Sequence, residues 1–503
     1  MRFPRLTVAA SAGSLLAFAA VIFSATLRTH RQETGDVKGA AAPSQHASTA
    51  HLRSQALKNT SIVFVEAPVI AAGDLRTRFP KGSRLVRLKS GASGDVVNLT
   101  PDFSAAAGPQ VSFDGQRILF AGRRSSEDRW QIWEIKADGS GQRQITHSDT
   151  DCLRPAYLAR DGIVYTVVTN QDGADNSQVH VVNMDGSEDH AITFGPGNFQ
   201  LETVLKDGRV LVSAASPLVA GVKGSTELYT LRHDGSGLAS YRCEHQQPAV
   251  RAQAAELDDG SLVFIKNTGK QEKAGGELAM IRPGALHNST LSPLSPVAWS
   301  PAKLAGERLL VARKNPRAPA SPEKFSLYTY DAARGAFGSL VYEDSKLSSV
   351  EAVPVTAHAR PRWYWSTLKP ESKEGYFICL DSYHSVDVPG GRLTAKIARV
   401  RVLMYEDAAA QERVLGEAPV ESDGSFFLAV PADRPVRFEL LDPAGKVIRA
   451  QKSWIWSRPG EEHGCVGCHE DKSVAPTNRW PLTLRRFDTP TRLGVEAQTA
   501  AAH

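Results

Sequence analysis

Apolar residues run through most of this chain in short alternating or continuous stretches, broken by Asp-Gly, Pro and polar turns. That is the pattern of β-strands joined by tight turns, and no long helical period interrupts it. Four times a small polar turn leads into such a run: SFDGQRILFAG from 112, ARDGIVYTVV from 159, LKDGRVLVSA from 205 and DDGSLVFIKN from 258. A second phase interleaves with the first: WEIKADGSGQRQIT, HVVNMDGSEDHAIT and LYTLRHDGSGLASY, turning at Asp138-Gly139, Asp185-Gly186 and Asp234-Gly235. Asp-Gly recurs because one turn position needs positive φ, which Gly adopts without steric cost.

The period is a little under fifty residues, room for roughly four short strands, which is a propeller blade. Runs of the second-strand type begin near Ile62, Ile118, Ile163, Val210, Leu262 and Leu309. The first, SIVFVE, has no partner before it, and EAVPV at 351–355 has no blade after it. Ring closure would produce that mismatch, with the late strand completing the first blade and removing an exposed edge. Residues 59–357 are therefore expected to form a six-bladed β-propeller. An open sandwich with fortuitous repeats is the alternative. The Asp-Gly-Ser repeats are similar to those of Tol-type propellers, a likeness of fold only.

The period breaks after Pro361. GYFICLDSYHSVD, AKIARVRVLMYE, GSFFLAVP and PVRFELLD read as strands of a small β-sandwich-like domain over 358–456. Residues 457–503 are expected to be loop-rich, needing something to organise around. The fold class is thus all-β: propeller, sandwich-like domain and loop-rich tail segment.

At the other end, Arg2 and Arg5 precede a stretch without charge from Leu6 to Leu27. Residues 1–30 are expected to be a signal peptide or N-terminal membrane anchor, which places the protein in the periplasm, outside the cell, or on the outer face of the cytoplasmic membrane. Residues 31–58, rich in Ala, Ser and Gln, are expected to be a disordered linker. A net charge of +5 over 503 residues, with no basic run, gives no sign of a nucleic-acid face. No Ser-His-Asp set, paired carboxylate or phosphate loop stands out, and the sequence assigns no catalytic residue.

Five cysteines remain: Cys152, Cys243, Cys379, Cys465 and Cys468. Cys379 falls in an apolar strand and is expected to be buried. Cys152 and Cys243 are compatible with burial or pairing. HGCVGCHED, residues 463–471, contains Cys-x-x-Cys-His, the attachment signature of haem c. Two cysteines at that spacing reach two vinyl groups of one porphyrin edge, and the adjoining histidine is delivered to the iron. One motif means one haem, held covalently by Cys465 and Cys468 with His469 as axial ligand. His384 and Met404 are candidates for the second ligand, each also readable as an ordinary surface or core residue. Trp454 and Trp456 are expected either to pack against the porphyrin or to belong to the sandwich core. Three alternatives stay open: zinc held by His463, Cys465, Cys468 and His469, a redox-active pair, and a structural disulfide. With zinc or a disulfide stapling the tail, the protein would be a propeller-based binding module. With haem, it would exchange electrons with a redox partner, or bind a small molecule if the iron has one strong ligand.

ARVRVL, then EAPVESDGSFFLAVPADRPVRFELLD, then SWIWSRPGEEHGCVGCHEDKSVAPTNR resembles the hydrazine synthase alpha subunit family. The resemblance covers most of the chain after residue 59 and is most specific over roughly 397–480. It implies a six-bladed propeller followed by a haem c domain, and sister subunits as partners. It implies Cys465 and Cys468 as the haem-attaching cysteines and His469 as the motif histidine. In the family that histidine binds zinc and a tyrosine four residues later ligates iron. Ser473 stands at that position here. The resemblance therefore implies a relative rather than a hydrazine-forming enzyme, with His469 on the iron.

Overall fold

The computed structural model describes residues 57, 60–71, 74–89, 95–171, 174–215, 225–241, 249–267, 274–283, 295–314, 324–406, 411–469 and 479–494. The expected signal or anchor, nearly all of the linker, Cys243 and Ser473 lie outside them. The described chain is almost entirely strand, with only short 3-10 turns besides. Among the described residues no helix is long and apolar enough to cross a membrane.

The propeller-like part is a ring of antiparallel sheets. Its innermost strands are Ala105–Val111, Asp151–Tyr157, Phe199–Val204, Val250–Glu256, Ser295–Lys303 and Ser348–Pro354. Each contacts the next in that order, and the last contacts the first. Closure is made as the strand mismatch predicted. Ile62–Ala67 pairs antiparallel with Ser348–Pro354, Ile62 opposite Pro354 and Glu66 opposite Ser349. Four-stranded sheets make up most of the ring. Gly276–Ile281 pairs directly with Ser295–Lys303, which merges two repeat units into one seven-stranded sheet.

The Asp-Gly turns work as expected. Asp185 accepts the Ser187 N–H at 3.0 Å and its hydroxyl at 2.6 Å. Gly186 sits at φ 88°, and a Cβ there would lie 2.7 Å from the Ile145 carbonyl oxygen of the neighbouring sheet. Glycine therefore serves both the turn and the close packing of adjacent sheets.

A second device was not visible in the repeat. Every innermost strand bulges near its middle, and the bulges line the axis. Arg154, Gln253, Ser300 and Glu351 take positive φ there, as does Gly108. The Gly108 N–H donates to Glu351 Oε2 at 2.8 Å, the Glu351 N–H to Ser300 Oγ at 2.8 Å, and the Ser300 N–H to Gln253 Oε1 at 2.9 Å. The Gln253 N–H donates to Glu202, which also takes Arg154 Nη2 at 2.7 Å. These bonds give the N–H groups freed by the bulges a partner from the preceding strand and tie the axis together.

The C-terminal part is two four-stranded sheets. One has the order Glu462–His469, Glu374–Ser385, Phe426–Pro431, Thr491–Arg492, and the other Gln411–Pro419, Arg399–Glu406, Val436–Leu441, Val447–Ala450. Phe377, Val400, Val402, Phe426, Leu428 and Val436 fill the space between them. The segment expected to be loop-rich contributes an edge strand to this sandwich. Glu462–His469 pairs in parallel with Glu374–Ser385, because His463 and Cys465 offer half-buried faces that the core accepts.

Trp456 joins the two parts. It is 1% exposed and lies with the propeller core rather than in the sandwich or beside the cysteines. Its ring meets Phe194 and Phe199 at 5.8 and 5.6 Å, and its Nε1 donates to the Gly235 carbonyl at 3.1 Å. Trp454 instead meets the Tyr405 ring edge-on, centroids 5.6 Å apart.

Candidate functional site

The Cys-x-x-Cys-His motif lies along the edge strand Glu462–His469, hydrogen-bonded on one side only. Cys465 stands opposite Cys379 of the neighbouring strand, and Gly467 opposite Asp381. Cys379 is 2% exposed, as an apolar strand predicts. Cys465 is half-buried against the same core, and Cys468 reaches solvent. The three lie close enough that both motif sulfurs help burial push the Cys379 thiol up. Burial also raises the Cys468 thiol, and a hydrogen bond from the Arg449 guanidinium partly offsets it. Cys152, in the propeller, is likewise buried, its thiol pushed up to about 12 by burial.

Of the two proposed second ligands, His384 adjoins the motif. A Cβ at Gly467 would meet the His384 carbonyl oxygen at 2.6 Å and its ring Cδ2 at 2.9 Å. Glycine at 467 is what lets the two strands approach. Met404, 9% exposed, faces the sandwich core from the opposite sheet. The side chain of His469 lies outside the described residues, although its backbone ends the edge strand. His463 turns toward Phe377, ring centroids 5.4 Å apart, with Glu461 Oε1 at 4.0 Å from its Nδ1. Among the described residues no three His, Cys, Asp or Glu side chains converge as a metal site.

A cavity of about 520 Å³ opens beside the motif, between the Arg232–Ala239 turn of the propeller and Gly460–Gly464. Glu461 bridges the same gap, accepting the Gly237 N–H at 2.7 Å and the Arg458 N–H at 2.8 Å. A Cβ at Gly464 would meet nothing within 4 Å. The donor set thus fits a covalently held haem: two cysteines, one at the surface, on an edge strand beside open space. Three residues of extended strand span about 10 Å, so the backbone between the sulfurs must tighten to serve one porphyrin edge. The single-sided pairing of this strand allows that.

Sequence reasoning found the motif and His384. It missed Cys379 as the cross-strand neighbour of Cys465 and Trp456 as the joint to the propeller. Strand register and tertiary packing decide both.

Residues 385–470 match the family model described as hydrazine synthase alpha subunit middle domain. Hydrazine synthase subunit alpha of Kuenenia stuttgartiensis is 23% identical over 540 residues, covering 82% of this chain. The chain spans 66% of that relative's length. The solved structure of Kuenenia stuttgartiensis hydrazine synthase superposes with a TM-score of 0.75 at 22% identity, covering 85% of this chain and 71% of that one. The matched middle domain includes the edge strand with Cys465 and Cys468. This chain is a divergent relative of the hydrazine synthase alpha subunit.

Proposed function

We propose that this chain is an exported redox protein, or the redox subunit of a larger assembly, that holds one haem covalently through Cys465 and Cys468 with His469 as an iron ligand. The observation that carries this reading is that both motif cysteines lie on an edge strand beside a roomy cavity, within the matched middle domain. The basic, then apolar, N-terminus supports export, the setting in which covalent haem is attached. Haem would supply one-electron chemistry and an iron able to bind a small ligand. The chain's own residues set its surroundings. Arg449, paired with Asp387, places a positive charge at Cys468. Phe377, Val400 and Leu428 keep water from the core side of the strand. His384 stands beside Gly467 as the candidate second ligand. The propeller turn at Arg232–Ala239 walls the cavity and is held there by Trp456 and Glu461. Sister subunits fit this reading, since the matched relative is itself named a subunit. Formation of hydrazine is not part of the proposal.

The test is a reduced-minus-oxidised absorption spectrum of protein made with haem-maturation machinery, followed by haem staining on a denaturing gel. A c-type α band retained through denaturation, and lost in Cys465→Ala/Cys468→Ala, is expected. A colourless protein containing stoichiometric zinc would overturn the reading and leave the binding-module alternative.

A further inference from the structure

The connector from the ring-closing strand to the sandwich runs without regular structure across Asp-Gly turns of the propeller. The His358 N–H donates to the Phe113 carbonyl at 2.9 Å and the Arg362 N–H to the Lys206 carbonyl at 2.9 Å, while Arg360 Nη1 donates to the Ala159 carbonyl at 3.1 Å. Gly208 lets the connector pass: a Cβ there would lie 2.2 Å from the Arg362 carbonyl oxygen. A strap held at successive turns presents its side chains in fixed places. The fold does not use all of its aromatic residues. Trp363 lies against His233, ring centroids 3.9 Å apart, but Trp365 is 71% exposed and Tyr364 37%. Guanidinium groups cover one side of these rings. Arg160 lies over Trp365 at 4.1 Å and over Trp363 at 5.7 Å, and Arg232 over Tyr364 at 5.8 Å.

Arg160, Arg232, Arg360 and Arg362 are exposed, and none of them forms an ion pair among the described residues. The acids of the same turns do not balance them. Asp207 is paired with Arg209 at 2.6 Å and Asp234 is buried against Ser236, which leaves Asp114 and Asp161 exposed. Exposed Trp and Tyr set among arginines is the composition of a protein-binding hot spot, and planar guanidinium groups suit carboxylates. The face also reaches the cysteine motif, since Arg232 and Thr367 line the cavity beside Gly460–Gly464. We propose that the strap docks an acidic electron-carrier protein, whose carboxylates meet Arg160, Arg232, Arg360 and Arg362 and whose apolar centre covers Trp365. What the carrier exchanges rests on the haem reading above, whereas the docking rests on the strap alone. Charge complementarity of this kind steers the encounter and makes it sensitive to salt.

The test is calorimetric titration of the full-length protein, made with haem-maturation machinery, against two acidic carriers, a plant-type ferredoxin and a flavodoxin. A basic cytochrome c, oligothymidylate and polygalacturonate serve as counter-probes. At least one acidic carrier is expected to saturate a single site at low salt and to weaken steeply as ionic strength rises, with every counter-probe at least roughly tenfold weaker. Trp365→Ala and the double change Arg160→Gln/Arg362→Gln should each weaken binding about tenfold. Circular dichroism confirms the fold of each variant, and if one does not fold the other decides. Stopped-flow mixing with reduced ferredoxin then reads one electron passing from its iron–sulfur cluster to the ferric haem, and the same variants should slow that transfer in parallel. A colourless protein that still binds the carrier would sink the haem reading and keep the docking face. Haem-loaded protein that binds neither acidic carrier, that binds any counter-probe as tightly, or whose affinity is unchanged in the folded variants would overturn the proposal.

Discussion

Cys379 and Cys465 stand directly opposite one another in the parallel pairing of Glu374–Ser385 with Glu462–His469. A buried thiol thus lies one strand away from the first cysteine of the Cys-x-x-Cys-His motif. Adjacent strands are about 4.8 Å apart, within the roughly 4.4–6.8 Å Cα separation that a disulfide bridges. Protein made without haem should therefore form a Cys379–Cys465 cross-link under mild oxidant. Burial holds the Cys379 thiol protonated, so the reaction should quicken as pH rises. Peptide mapping by mass spectrometry reads the linkage. Recovery of Cys465–Cys468 alone would show that the edge strand does not hold this register.

Haem, once attached, should remain in place when Cys379 is changed. Cys379→Ala is expected to cost about 1 kcal/mol through lost packing, and Cys379→Ser about 1–3 kcal/mol, because it buries a hydroxyl among apolar neighbours. Both variants should keep the denaturation-resistant haem stain. Urea unfolding together with the stained gel separates this structural part from an attachment role.

Trp456 should behave as a joint. Trp456→Ala removes a side chain packed on Phe194 and Phe199 and leaves the Gly235 carbonyl without its donor. The expected loss is about 3–5 kcal/mol. Calorimetry should then show the C-terminal sandwich melting apart from the propeller. A single transition, merely lowered, would mean that the two parts are coupled elsewhere.

Ring closure gives a further test. Val350 is fully buried where Ser348–Pro354 meets Ile62–Ala67. Val350→Asp places an unpaired charge in that seam and should cost at least about 3 kcal/mol. Limited proteolysis is expected to cut first on either side of the opened seam.

Acid stability should depend on the Asp-Gly turns. Hydrogen bonds from Ser140 hold the Asp138 carboxyl below the usual range, and those from Ser187 do the same for Asp185. A carboxylate with a depressed folded-state pKa contributes stability above its unfolded value, and that contribution disappears as pH falls through the folded value. The melting temperature should therefore drop on acidification below about pH 4. Asp138→Asn/Asp185→Asn keeps an acceptor oxygen without the titration and should flatten that acid limb. An unchanged pH profile would assign the acid sensitivity to other carboxylates.

The repeat, the closure and the cysteine motif were all legible in the chain. Asp-Gly turns act through neighbours two residues apart, so they survive as a local signal. SIVFVE and EAVPV announced their pairing because an unpaired apolar strand at each end of a repeat can be buried in only one way. Cys465, Cys468 and His469 stood out because haem attachment depends on spacing along the backbone. The loop-rich reading of the tail left out one strand for a matching reason. Pro459, Gly460 and the motif glycines look like turn residues, and only the apolar face of the sandwich makes a strand of Glu462–His469.

The sequence by itself determined what short-range chemistry determines: strand alternation, turn positions, the ring's period and the Cys-x-x-Cys-His spacing. Tertiary structure alone decided which distant residues meet. It set Cys379 opposite Cys465, seated Trp456 in the propeller and laid Arg160 over Trp363 and Trp365. Such pairings depend on strand register and ring geometry, which bring together residues far apart in sequence and leave no periodic trace in the chain.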